Sequence, residues 1–186
     1  MPELVDVWVV PLERTDDEIR RLWGVLSAEE RERAGRLPLA PRKRRYVARQ
    51  AALRLILGAR TGAAPGRLPL VRSEHGKPAL VGEYDFRFNV SDSADLALVA
   101  VAGREVGVDV EQIRNRPAAT RAAALGIDRF FERWTRLEAE GKARGTGLLG
   151  RRGRERLTCT SIDVGPGFAA AVAVAGDRIE VLLRPY

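Results

Sequence analysis

Histidine and cysteine are almost missing from this chain: its 186 residues include one of each, His75 and Cys159. A single cysteine excludes an internal disulfide framework and any multi-cysteine zinc site. A single histidine excludes a His-rich metal centre and argues against Ser-His-Asp or Cys-His nucleophilic machinery. No apolar run reaches membrane-spanning length, and Met1-Pro2-Glu3-Leu4 lacks the basic-then-apolar build of a signal peptide. A cytoplasmic setting with no membrane partner is therefore the expectation. Neither a Walker phosphate loop nor a dinucleotide glycine fingerprint occurs. Lysine is scarce as well: of 32 basic residues only Lys43, Lys77 and Lys142 are lysines. Such sparing use of a compact point charge suggests particular roles at those three places.

What is present is ordinary for a folded protein, 45% hydrophobic and 31% charged, and long enough for one core or two tightly joined halves. The formal charge of +7 suggests a polyanionic partner, or else only an arginine-rich composition. Residues 4–12 alternate as a first strand. Thr15 with Glu18, and Ser27 with Glu30, each spell a capping box at a helix start. Pro41 opens a longer helix with a stripe of Tyr46, Gln50, Leu53 and Leu57 and an expected stop at Gly58. Its first turn carries Arg42, Lys43, Arg44 and Arg45, where the helix dipole disfavours cations. Either an anion binds there or the face is simply solvated.

Two hairpins are expected, residues 96–102 with 106–111 and residues 168–175 with 179–183. Leu98-Val99-Ala100-Val101-Ala102-Gly103 matches Ala171-Val172-Ala173-Val174-Ala175-Gly176 at a spacing of 73 residues, which suggests two similar halves joined near residues 91–106. In the strand 106–111, period-2 geometry puts Asp109 and Glu111 on one face and Val108 and Val110 on the other. Two neighbouring carboxylates call for a cation, and a divalent metal is the reading. A helix capped by Asp128 sets Trp134, Glu138 and Lys142 on one face beside Phe130 and Phe131, so that the Glu and Lys are partly buried and need partners. Three carboxylates, a lysine one turn on and distant basic groups describe a magnesium–phosphate site.

These residues resemble the Sfp-type 4′-phosphopantetheinyl transferases. The resemblance is carried by Gly76-Lys77-Pro78, Phe88-Asn89-Val90-Ser91-Asp92-Ser93, Gly107-Val108-Asp109-Val110-Glu111, and Trp134-Thr135-Arg136-Leu137-Glu138-Ala139-Glu140-Gly141-Lys142 followed by Gly145-Thr146-Gly147-Leu148. It implies an α+β fold of two pseudo-twofold related α/β halves, residues 1–100 and 101–186. Each half is a small antiparallel sheet packed with helices, with the ligand cleft between them. It also implies transfer of the phosphopantetheine arm of coenzyme A to a serine of an acyl or peptidyl carrier protein by a monomeric enzyme, releasing 3′,5′-ADP. Asp109, Glu111 and Glu138 would hold Mg²⁺; Asp109, Glu138 and Lys142 would be catalytic. Lys142 would contact a phosphate oxygen, and Lys77, Ser91, Asp92, Arg33 and Arg45 would lie around the 3′-phosphate and adenosine end.

Three departures from the family pattern follow. Asp92 replaces a histidine, and an acid beside a phosphate repels it, so weaker 3′-phosphate binding and tolerance of dephospho-coenzyme A are expected. Leu137 replaces a lysine. The connection from Asp109 to Trp134 is short, and the missing piece usually carries the general base, for which Glu132, Glu105 and a metal-bound water or hydroxide are the alternatives. Two other readings stand beside the enzyme. One is a degenerate homologue that binds coenzyme A or a carrier protein without catalysis. The other is a basic nucleic-acid module using residues 42–45 and Arg151-Arg152-Gly153-Arg154, which lacks interleaved aromatics; no nucleic-acid partner is expected.

Overall fold

The computed structural model describes residues 2–38, 40–72, 76–113, 126–145 and 156–186. His75, Thr146-Gly147-Leu148 and the basic cluster at 151–154 lie outside the described residues. The chain order is β1 (Glu3–Pro11), α1 (Asp16–Val25), α2 (Ala28–Gly35), α3 (Ala40–Thr61), β2 (Leu70–Arg72), β3 (Pro78–Leu80), β4 (Arg87–Ser93), β5 (Leu96–Ala102), β6 (Val106–Gln112), α4 (Ile127–Arg144), β7 (Leu157–Ile162), β8 (Phe168–Ala175) and β9 (Ile179–Pro185). The fold is mixed α+β, with small, mostly antiparallel sheets packed against helices.

Local signals set most element starts. Both capping boxes form, Thr15 with Glu18 and Ser27 with Glu30, satisfying N–H groups that a helix start leaves unpaired. Pro41 sits in the first turn of α3. Gly58 does not end that helix, which runs on to Thr61. A Cβ at Gly58 would press on Pro65 and the Ala63 carbonyl, so this glycine makes room for the returning chain. The left-handed residue beyond the helix is Gly62. Asp128 lies one residue inside α4, whose cap is Gly126.

The expected hairpins are not hydrogen-bonded pairs. β5 pairs with β4 and β1, whereas β6 pairs with β8. Likewise β8 pairs with β6 and β7, whereas β9 runs parallel to β1. The sheets are thus β4-β5-β1-β9 and β6-β8-β7, with β2-β3 a separate pair. The matched Ala/Val strands, β5 and β8, are each followed by a turn that carries the chain from one sheet into the other. Period 2 correctly assigned faces, but it carries no information about which strand lies alongside.

The layers follow from those faces. Val10, Leu53, Leu57, Phe88, Val99 and Val101 join α3 to one face of the four-stranded sheet. Val5, Val7, Leu98 and Ala100 on its other face meet Val106, Val108, Val110, Val172 and Val174 of the three-stranded sheet. The far face of that second sheet packs Ala171 and Ala173 against Ala139 and Ala143 of α4. No described helix is long and apolar enough to cross a membrane.

Candidate functional site

Gly107 decides how closely α4 approaches β6. A Cβ there would collide with the backbone of α4 at Ala139 and Ala143, so only glycine, with alanines facing it, allows the helix to lie directly on the strand. That contact places Lys142 over Asp109. The Lys142 ammonium donates to Asp109 Oδ1 at 2.6 Å, Ser91 Oγ at 3.0 Å and the Val108 carbonyl at 3.2 Å, so each of its three donors has an acceptor. Ser91 in turn donates to Asp109 Oδ1 at 2.9 Å. Asp109 Oδ2 is buried with no hydrogen-bond partner, a costly state for a carboxylate oxygen.

β4 reaches this site by stitching itself to β6 with side chains. Both are edge strands of their sheets, and the N–H groups on the open edge of β6 need acceptors. Asn89 Oδ1 accepts from Val108 N at 3.0 Å, Ser91 Oγ from Val110 N at 3.4 Å and Ser93 Oγ from Gln112 N at 3.0 Å. Ser93 also donates to Glu111 at 2.9 Å. Alternate residues 89, 91 and 93 therefore join the two sheets and hold both acidic residues of β6.

Glu138 lies half-buried on α4. Burial first, then the Asp109 and Glu111 charges, raise its pKa above the ordinary glutamate value, with Lys142 opposing. The three acidic residues thus share one electrostatic neighbourhood. Among the described residues, however, no three acidic, histidine or cysteine side chains converge into a metal cage, and Lys142 covers one oxygen of Asp109 instead. Cys159 has no part here: burial pushes its thiol up to about 11, far from a reactive thiolate.

Of the remaining expected residues, Lys77 and Arg33 line the cleft. Lys77 donates to the Lys142 carbonyl at 3.2 Å and to Glu105 at 3.4 Å, tying the Gly-Lys-Pro turn to the end of α4. A cavity of about 230 Å³ opens there, lined by Arg49, Arg72, Lys77, Asn89, Lys142 and their neighbours. Arg33 lines an adjoining cavity of about 320 Å³ with Tyr46 and Arg72. Asp92 is not bare: Arg49 donates to it at 2.6 Å. Arg45 lies half-buried in the first turn of α3 and lines neither of these cavities. Its neighbours serve the fold, Arg44 pairing with Asp16 and Lys43 lying 5.1 Å from the Trp23 ring centre. Of the two alternative bases, Glu105 is paired with Lys77 and Arg87, and Glu132 is exposed on α4. Sequence reading missed Arg49, Arg72 and the Asn89 and Ser93 rungs. Asp92 was the one available signal, since an acid in a basic cleft needs a cation.

No family model matches the chain. Individual relatives do. It is 32% identical over 165 residues to the 4′-phosphopantetheinyl transferase HetI of Nostoc sp., covering 77% of this chain and 70% of that protein. It is 34% identical over 127 residues to the 4′-phosphopantetheinyl transferase AcpT of Escherichia coli, covering 58% of this chain and 61% of that protein. A shorter match, 28% identical over 92 residues, is to the 4′-phosphopantetheinyl transferase gsp of Aneurinibacillus migulanus, of which it covers 38%.

Proposed function

The chain belongs to the 4′-phosphopantetheinyl transferase family, and from that premise we propose that it transfers the phosphopantetheine arm of coenzyme A to a serine hydroxyl of an apo acyl or peptidyl carrier protein. The observation that supports this most is the convergence of buried Asp109 and Ser91 with half-buried Lys142 beside a cation-lined cavity. We read residues 1–100 and 101–186 as the halves of a pseudo-twofold unit, with β9 crossing back into the sheet of the first half and the cavity as the ligand cleft.

The donor chemistry suits magnesium, all-oxygen and acidic with a buried carboxylate oxygen that has no partner, although the three carboxylates do not converge into a cage as they stand. Asp109, Glu111 and Glu138 would hold it. When bound, it would neutralise charge on the pyrophosphate and on the departing oxygen of 3′,5′-ADP. Lys142, held by Ser91 and Val108, would exchange its bond to Asp109 for one to a phosphate oxygen. Lys77, which grips the C-terminal end of α4, stands beside Lys142 on the cavity wall. The serine oxygen forms a bond to the phosphorus bearing the pantetheine arm, the bond from that phosphorus to 3′,5′-ADP breaks, and the serine proton passes to a carboxylate. Glu105 is engaged by two cations and Glu132 is exposed on α4; a metal-bound water is the third candidate for this proton.

The test is mass spectrometry of an apo carrier protein after incubation with this chain, coenzyme A and Mg²⁺. One added phosphopantetheine arm per carrier, lost with EDTA and in Asp109→Ala, is the expected result. No addition across several carriers, with coenzyme A still bound, would establish the non-catalytic homologue instead.

A further inference from the structure

We propose that Ser91 and Ser93 are positioning residues for the cation site: each hydroxyl takes one oxygen of a β6 carboxylate and leaves the other oxygen for the metal. This rests on the reading of Asp109 and Glu111 as metal ligands of the proposed transferase. It departs from the role that the resemblance implies for Ser91, a contact near the 3′-phosphate, and it gives Ser93 a role where none was expected.

The two contacts are copies of one geometry. Ser91 donates to Asp109 Oδ1 and Ser93 to Glu111 Oε2, each at 2.9 Å and each across 18 residues. Each hydroxyl also accepts from the N–H one residue further along β6, at Val110 and at Gln112. Period 2 explains the repeat, because alternate residues of β4 share a face and so do alternate residues of β6. Asn89 stands one step earlier in the same series. Its counterpart on β6 is Gly107, which has no carboxylate, and its side-chain oxygen accepts from Val108 N. Of the three rungs, the hydroxyls stand where a carboxylate is within reach, since a hydroxyl accepts and donates at a single atom.

Ser91 has no capacity left for a coenzyme. A hydroxyl has one proton and two lone pairs. Here the proton goes to Asp109, and the lone pairs receive Val110 N at 3.4 Å and the Lys142 ammonium at 3.0 Å. Ser91 and Lys142 both converge on Oδ1 of Asp109, which leaves Oδ2 buried and without a partner. A carboxylate held by one oxygen presents the other in a fixed direction, and fixing ligand direction is how outer partners raise metal affinity. Ser91 and Asp109 are 8% and 4% exposed, so water competes little for their bond. Ser93 and Glu111 are only partly buried, which makes Ser93 the variant that leaves the core undisturbed.

The experiment is calorimetric titration of the full chain with coenzyme A, in EDTA and at graded Mg²⁺ concentrations, without carrier protein. Ser93→Ala should raise by about tenfold the Mg²⁺ concentration that gives half of the metal-dependent gain in coenzyme A affinity. Its affinity in EDTA should change by less than about twofold, because the hydroxyl acts through the metal ligand. Ser93→Thr, which keeps the hydroxyl, should stay close to wild type. In a Glu111→Gln background Ser93→Ala should add nothing further, since its effect runs through that carboxylate. Ser91→Ala, checked for a native circular dichroism spectrum, should act in the same direction as Ser93→Ala. An equal loss in EDTA would make the serines coenzyme contacts. An unchanged Mg²⁺ requirement in Ser93→Ala, or a loss additive with Glu111→Gln, would make them rungs between sheets only. Either result overturns the proposal, as does a wild-type affinity that Mg²⁺ does not raise. A chain that shows the Ser93 effect yet modifies no carrier refutes the transferase reading alone. A chain that modifies carriers with Mg²⁺ and needs no more of it in Ser93→Ala refutes this inference alone.

Discussion

Lys142 and Asp109 show how much of the site depends on one pair. Removing the lysine leaves a buried carboxylate with neither oxygen paired to a cation. Lys142→Met should therefore destabilise the chain by about 3–5 kcal/mol, toward the lower figure because the lysine side chain stays 28% exposed. Urea unfolding measures it, and adding Asp109→Asn should restore much of the loss. Glu138 behaves oppositely. Its folded pKa is raised above the ordinary 4.5, so the folded state binds its proton more tightly than the unfolded state. The resulting penalty is absent below the unfolded value and complete above the folded one. Glu138→Gln should raise the melting temperature of the metal-free chain by about 1–3 °C near pH 7 and leave it unchanged near pH 4. The same variant should abolish any stabilisation by Mg²⁺.

Among the elements, β4, β6 and α4 act as a unit because side chains replace a backbone ladder. Asn89 is 2% exposed, and truncating it strands the Val108 N–H in the interior. Asn89→Ala should cost about 1–3 kcal/mol, and Ser93→Ala less, since Gln112 is closer to solvent. Gly107→Ala is the sharper test. Its added carbon meets the α4 backbone, and the helix must lift by part of the length that brings Lys142 to Asp109. A loss of about 1–3 kcal/mol should accompany loss of Mg²⁺-dependent coenzyme A binding, measured by denaturation and titration of the same preparation.

Across the whole molecule the decisive feature is that the last strand crosses back. β9 lies parallel to β1, and Arg184 pairs with Asp6 at 2.9 Å, so residues with no place at the site close the first sheet. A chain ending at Ala175 keeps every candidate site residue but leaves β1 as an unpaired edge. It should lose cooperative unfolding and aggregate, as read by circular dichroism and light scattering; a soluble, cooperatively melting product would show that β9 is dispensable.

The sequence by itself determined what is local. Capping side chains three residues apart fixed the starts of α1 and α2, alternation put Asp109 and Glu111 on one face, and helical spacing aligned Glu138 with Lys142. Four short motifs in order also announced the family that the relatives establish. Only the tertiary structure decided which sheet β6 and β9 joined, that Asn89, Ser91 and Ser93 serve as rungs, and that Asp92 holds Arg49 43 residues away. The physical reason is range. Propensity, capping and periodicity are properties of neighbouring residues, whereas a strand's partner and a charge's counter-ion depend on which distant surfaces pack together.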